Sequence, residues 1–269
     1  MKLSISNIGW EEKNDIEVYN LMKKYGFSGV EIAPTRWVQE RPYEHIDEAV
    51  AIAERLKLQY GFCVPSMQSI WFGKQKKVFA SAEERGTLVA YTKKAIDYAS
   101  AIGCKNLVFG CPRNRNVAEE WNLTKQQVDE IAGNFFGELG AYAESKGVVL
   151  AMEANPPIYN TNYVNTTEQA IDLVKNVASK GFLVNLDFGT MIANEEDVAI
   201  LEENLPVIHH IHISEPGLKP IEKRETHKEL ANLLRAKKYE GYVSIEVGKQ
   251  EELKALEEMM KYVAEVFHD

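Results

Sequence analysis

Val149-Leu150-Ala151-Met152-Glu153-Ala154-Asn155-Pro156 is an apolar run closed by one acid and a proline. It reads as a strand, Val148–Glu153, that stops at a turn. The same design recurs along the chain. Further strand candidates are Lys2–Ser6, Gly29–Ile32, Gln59–Val64, Asn106–Phe109, Leu183–Asp187, His209–Ile213 and Tyr242–Val247. Amphipathic stretches lie between them and predict helices over Asp15–Tyr25, His45–Leu56, Ala82–Ile102, Lys125–Ser145, Thr167–Ala178, Glu195–Asn204, His227–Lys237 and Glu251–Phe267. Thr124 and Thr166 stand where helix caps belong, and Gly26, Gly103, Gly147, Gly181 and Gly241 mark approaches to the next strand.

Eight strand–helix units in 269 residues give about 34 residues each, the size of a βαβ repeat. Strict alternation implies parallel pairing, and eight units with no remainder favour a single α/β domain over residues 1–269, closed as a (β/α)8 TIM barrel. The open doubly wound alternative expects a glycine-rich phosphate loop after a strand, and no G-x-G-x-x-G or G-x-x-x-x-G-K-[ST] occurs. Composition is that of an ordinary globular protein, 45% hydrophobic and 26% charged, which excludes disordered and low-complexity classes. No apolar run approaches a membrane span, and the first residues lack the apolar centre of a signal peptide. Three cysteines without ligand spacing, Cys63, Cys104 and Cys111, fit a reducing cytoplasm. A net charge of −9 opposes a nucleic-acid partner.

In a barrel of this type the chemistry gathers at the carboxyl ends of the strands. Those ends carry Glu153, then Asp187 in Leu186-Asp187-Phe188-Gly189, His212 in His210-Ile211-His212-Ile213, and Glu246 in Ser244-Ile245-Glu246-Val247. Alternation puts Leu150, Met152, Leu186, Phe188, Val243, Ile245 and Val247 on one face, against the helices. The acids therefore point into the barrel. Three inward carboxylates need a compensating charge, and no Lys or Arg lies within these strands. A divalent cation held by three carboxylates and an imidazole supplies it, with Mn²⁺, Mg²⁺, Co²⁺ and Zn²⁺ all suited to the donors.

The order Glu153, Asp187, His212, Glu246 at strands five to eight resembles the xylose isomerase-like TIM-barrel superfamily, especially its ketose 3-epimerase and hydroxypyruvate isomerase branch. The resemblance covers essentially the whole chain. It implies one divalent metal, Mn²⁺ first, on Glu153, Asp187, His212 and Glu246, with Glu153 and Glu246 also moving protons. The implied activity is metal-dependent sugar or sugar-phosphate isomerisation or epimerisation, by proton abstraction beside a carbonyl through a metal-stabilised enediolate. An inosose-type dehydratase shares the first step, and a non-catalytic sugar-binding barrel is the alternative outside enzymes. Apurinic endonucleases of the superfamily need more histidines than the six here. The expected partner is a small carbohydrate, phosphorylated or not, with neither nucleic acid nor membrane. A homodimer or homotetramer is the implied assembly.

Three positions depart from the family pattern. Thr190 stands where a substrate-binding His is usual, Tyr159 lies where the epimerases often carry another Glu, and Ser214-Glu215-Pro216-Gly217 replaces an acidic-Asn-Arg loop. Loop residues expected to bind substrate are Trp10, Gln68, Trp71, Asn155 and His227, with Arg113 a candidate for an anion. Glu31, His209 and His210 are expected to be structural, His210 as support behind His212.

Overall fold

The computed structural model describes residues 1–268. Strands β1 (Lys2–Ser6), β2 (Gly29–Glu31), β3 (Ser66–Met67), β4 (Asn106–Phe109), β5 (Val149–Glu153), β6 (Phe182–Asp187), β7 (Ile208–Ile213) and β8 (Tyr242–Ile245) pair in parallel in the order β2-β1-β8-β7-β6-β5-β4-β3. Isolated bridges Gly29 to Cys63 and Ile32 to Met67 bring the two ends together and complete the (β/α)8 TIM barrel. Around it run α1 (Asp15–Lys24), α2 (Pro34–Trp37), α3 (Ile46–Tyr60), α4 (Ala82–Ala101), α5 (Lys125–Ser145), α6 (Thr167–Val177), α7 (Phe188–Ala193), α8 (Glu225–Ala236) and α9 (Leu253–Phe267). None of the described helices is long and apolar enough to cross a membrane.

The local signals account for these boundaries. Thr124 with Gln127, and Thr166 with Gln169, form reciprocal capping boxes that start α5 and α6. Leu150, Met152, Leu186, Val243 and Ile245 are buried between sheet and helices, where alternation puts them. That leaves the inward face to polar side chains. Glu153 lies level with Asn185, Asp187 with His212, and His212 with Ser244.

Two expected elements differ. The third strand is not Gln59–Val64: α3 continues to Tyr60 and stops at Gly61, whose φ of 75° ends the helix. Pro65 then has no N–H to give to a ladder, and apart from the bridge at Cys63 the strand is confined to Ser66–Met67. No α-helix spans Glu195–Asn204. The crossover after β6 starts at once with α7, capped by the Asp187 side chain, and Val198–Leu201 forms one 3-10 turn that buries Val198 and Leu201.

Candidate active site

A cavity of about 180 Å³ opens at the carboxyl ends of the strands, with Gln68, Glu153, Asn155, Asp187, Ser214 and Glu246 in its wall. His212 lies behind this wall, fully buried, with Nδ1 3.3 Å from Glu153 Oε2 and 3.2 Å from Glu246 Oε2. Glu153, His212 and Glu246 each offer a ligand atom within 4.8 Å of the others. Asp187 lines the same cavity but stands outside that group. Its carboxylate is turned to the start of α7, taking the amides of Gly189 and Thr190 and the Ser214 hydroxyl. Thr190 Oγ1, at the position of the family's usual histidine, lies 2.7 Å from Asp187 Oδ2 and 2.8 Å from the Ala154 carbonyl. It holds Asp187 in place instead of reaching the cavity.

Each acid is fixed by amides. Gln68 Nε2 donates to Glu246 Oε1 at 2.8 Å, Asn155 Nδ2 to Glu153 Oε1 at 2.7 Å, and Asn185 Nδ2 to Glu153 Oε2 at 2.9 Å. Glu31, completely buried on β2, receives His212 Nε2 at 2.8 Å, while His210 Nε2 lies 3.2 Å from the same oxygen. This contact occupies Nε2 and presents Nδ1 to the two glutamates. Burial alone would raise the Glu31 carboxyl, but His212 and His210 outweigh it and hold it well below the usual carboxylate range. Burial would likewise lower His212, and Glu31, Glu246 and Glu153 together push it well above its ordinary value.

Negative charge still exceeds positive at the cavity. Burial raises Glu246 to about 7; His212 opposes the shift, while the charges of Glu153 and Asp187 add to it. Asp187 is raised by burial and by Glu153. Carboxylates that stay uncompensated beside a converging imidazole nitrogen are the donor chemistry of a divalent-cation site. The residues present fit such an ion.

Of the remaining residues singled out in the sequence, Gln68 and Asn155 reach the cavity wall and four do not. Trp10 is buried, with its indole N–H on Asp15. Trp71 is buried with its N–H on Thr92 and its ring edge-on to Phe109. His227 is buried between Phe188 and Phe267, its Nδ1 3.0 Å from the Tyr262 hydroxyl. In each case the ring finds its burial and its hydrogen bond between barrel and helices. Arg113 is exposed; Arg115, two residues on, is the arginine that lies behind the site. His209 binds Asn106 Oδ1 at the barrel's other end. Sequence reading passed over Glu31 as a site residue, although a lone acid within Gly29-Val30-Glu31-Ile32 needs a buried cation opposite it. It also left out Tyr159, whose hydroxyl accepts the Gly217 N–H at 2.7 Å and ties two loops together over the cavity.

With this geometry in hand, comparison with known proteins defines the class. The family model for the xylose isomerase-like TIM barrel matches residues 19–266, and the chain belongs to that family. Among solved structures, D-psicose 3-epimerase from Clostridium cellulolyticum H10, crystallised with D-tagatose, is similar at 18% identity over 100% of both chains, with a TM-score of 0.80. The 3-keto-D-glucoside 4-epimerase from E. coli shares 19% identity over 98% of each chain, with a TM-score of 0.77. D-allulose 3-epimerase from Methylomonas sp. aligns at 16% identity over 99% of this chain and 94% of its own, with a TM-score of 0.71. No curated protein matches the sequence significantly.

Proposed function

We propose that the protein is a divalent-metal-dependent sugar isomerase or epimerase, with Mn²⁺ as its ion, working as one domain in the cytoplasm, where its three cysteines stay free. The observation that carries the reading is the meeting of His212 Nδ1 with Glu153 and Glu246, two acids in the wall of one cavity. These three would hold the ion, with Asp187 as a fourth acid beside them. A bound divalent cation would supply a Lewis acid for the neighbouring oxygens of a hydroxy-ketone, stabilising the charge that develops when the adjacent carbon loses its proton. Glu153 and Glu246 come from strands three apart in the barrel order and flank His212. One carboxylate is placed to take the proton and the other to return it, which inverts a stereocentre when the two act on opposite faces. Gln68 and Asn155 hold those carboxylates and offer polar atoms to sugar hydroxyls. No Lys or Arg side chain lines the cavity and three carboxylates do, so we assign an unphosphorylated substrate. Similar epimerase structures hold or were crystallised with D-tagatose, D-fructose and D-allulose, which supports that choice.

The deciding experiment is deuterium exchange from D₂O into ketoses and their phosphates with Mn²⁺-loaded protein, followed by NMR. Carbon-bound exchange should occur with a free sugar and fall about a hundredfold or more in E153Q and in E246Q. The labelled carbon separates epimerisation from isomerisation, and loss of a neighbouring hydroxyl would mark a dehydratase. Protein that binds no Mn²⁺ and exchanges no substrate would overturn the reading.

A further inference from the structure

Arg115 is completely buried, and among the described residues no carboxylate lies within ion-pair distance of it, the charge of Glu153 acting from farther off. A desolvated cation without an ion pair is costly, and the cost must be offset by hydrogen bonds. Arg115 finds them on two loops. Its Nη1 donates to the Gly110 carbonyl in the loop after β4. Its Nε donates to the Tyr163 carbonyl at 2.9 Å, and its Nη2 to the Val164 carbonyl at 3.1 Å and to Asn155 Oδ1 at 3.0 Å, all in the segment after β5.

The backbone on both sides is strained. Cys111, next to Gly110, has φ 44°, and Val164 has φ 58°, a conformation that a β-branched residue adopts only under external constraint. The Val164 carbonyl that Arg115 holds also accepts the Asn155 backbone N–H at 3.1 Å. Gly110 is pressed so closely on the site that a Cβ there would sit 2.9 Å from Glu153 Oε1. Arg115 thus fastens the loops that form one side of the cavity.

Its chemistry also decides the orientation of one amide. A guanidinium carries only donors, so the end of Asn155 that faces it must be Oδ1. Nδ2 is then the end left for Glu153 Oε1, at 2.7 Å. We propose that Arg115 is a positioning residue: by holding Asn155 Oδ1 and the Gly110 and Val164 carbonyls, it fixes the Glu153 carboxylate in the orientation that the metal and the substrate proton require. The proposal rests on the metal-dependent reading of Glu153 given above. A lysine cannot replace it, because one ammonium lacks the planar fork that reaches acceptors on both loops.

The test uses R115M, R115K and N155D, with Mn²⁺ affinity by calorimetry, exchange kinetics, and a crystal structure of N155D. R115M should bind Mn²⁺ about tenfold more weakly and lose kcat about tenfold or more with KM nearly unchanged, and R115K should not restore either. If R115M does not fold, N155D decides, because it keeps an acceptor for Arg115 while removing the donor to Glu153. N155D should stay folded, lose Mn²⁺ affinity about tenfold, and show a displaced Glu153 carboxylate. Folded R115M or N155D with wild-type Mn²⁺ affinity and kcat would overturn the proposal. Wild-type protein that binds no Mn²⁺ would sink the metal reading by itself. The Glu153 position in N155D still judges the Asn155 link through which Arg115 acts, and an unmoved carboxylate overturns the assignment.

Discussion

Glu246 shows how one residue carries the electrostatic cost of the site. Its carboxyl is raised from an ordinary 4.5 to about 7, so between those values the folded protein holds a proton that the unfolded chain releases. Linkage then requires its contribution to stability to fall as pH rises through that window. His209 and His227, lowered by burial to about 4, act in the opposite sense, since they gain stability as pH rises towards 6.5. The total pH profile therefore mixes both signs, and the difference from a variant reports Glu246 together with the His212, Glu153 and Asp187 charges coupled to it. In chelator, denaturant unfolding of E246Q and wild type should show the variant gaining about 1–3 kcal/mol relative to wild type from pH 5 to pH 7.5. A pH-independent difference would mean that Glu246 is not held protonated by its surroundings.

At the scale of elements, two glycines in neighbouring units separate propensity from packing. Gly137 lies within α5, where an added Cβ would meet nothing within 4 Å. Gly181, just before β6, sits where a Cβ would run into the Gly140 carbonyl and the Glu144 backbone of α5. G137A should stabilise the protein by about 0.5–1 kcal/mol, because alanine loses less conformational freedom in a helix. G181A should cost about 1–3 kcal/mol by forcing β6 away from α5. Thermal and chemical unfolding of both variants checks the pair. The same contrast explains why the crossover before β7 forms no α-helix over Glu195–Asn204. The apolar spacing in Val198-Ala199-Ile200-Leu201 is real, but Glu202-Glu203-Asn204 and Pro206 follow at once. A single 3-10 turn suffices to bury Val198 and Leu201.

At the scale of the whole molecule, the barrel has one weak seam. The strands from β2 through β1 and β8 to β3 form a continuous ladder, whereas among the described residues the β2 and β3 segments meet through isolated bridges and the bonds Cys63 N to Ser28 O, Val30 N to Cys63 O, Ile32 N to Ser66 O and Gln68 N to Ile32 O. Opening should begin there. Amides of Val30, Ile32 and Gln68 should exchange with deuterium at least about tenfold faster than those of Ala151 and Leu186 in β5 and β6. Uniform protection around the barrel would contradict this. Gln68 follows the seam and holds Glu246, so the weakest part of the barrel adjoins the site.

The sequence by itself determined the repeat, the barrel and the four chemical positions at strands five to eight. All three follow from local rules: periodicity separates strand from helix, and alternation sends Glu153, Asp187, His212 and Glu246 inward once the apolar face is assigned. Tertiary structure alone decided which way those side chains turn and what stands behind them. Glu31 meets His212 across 181 positions of sequence, and Arg115 reaches Asn155 across 40. Trp10, Trp71, Arg113 and His227 share loops or helix starts with the site, but ring and chain orientation carried them elsewhere. A side chain's partner is set by the closure of the barrel, which brings distant strands into register. No window of neighbouring residues contains that information.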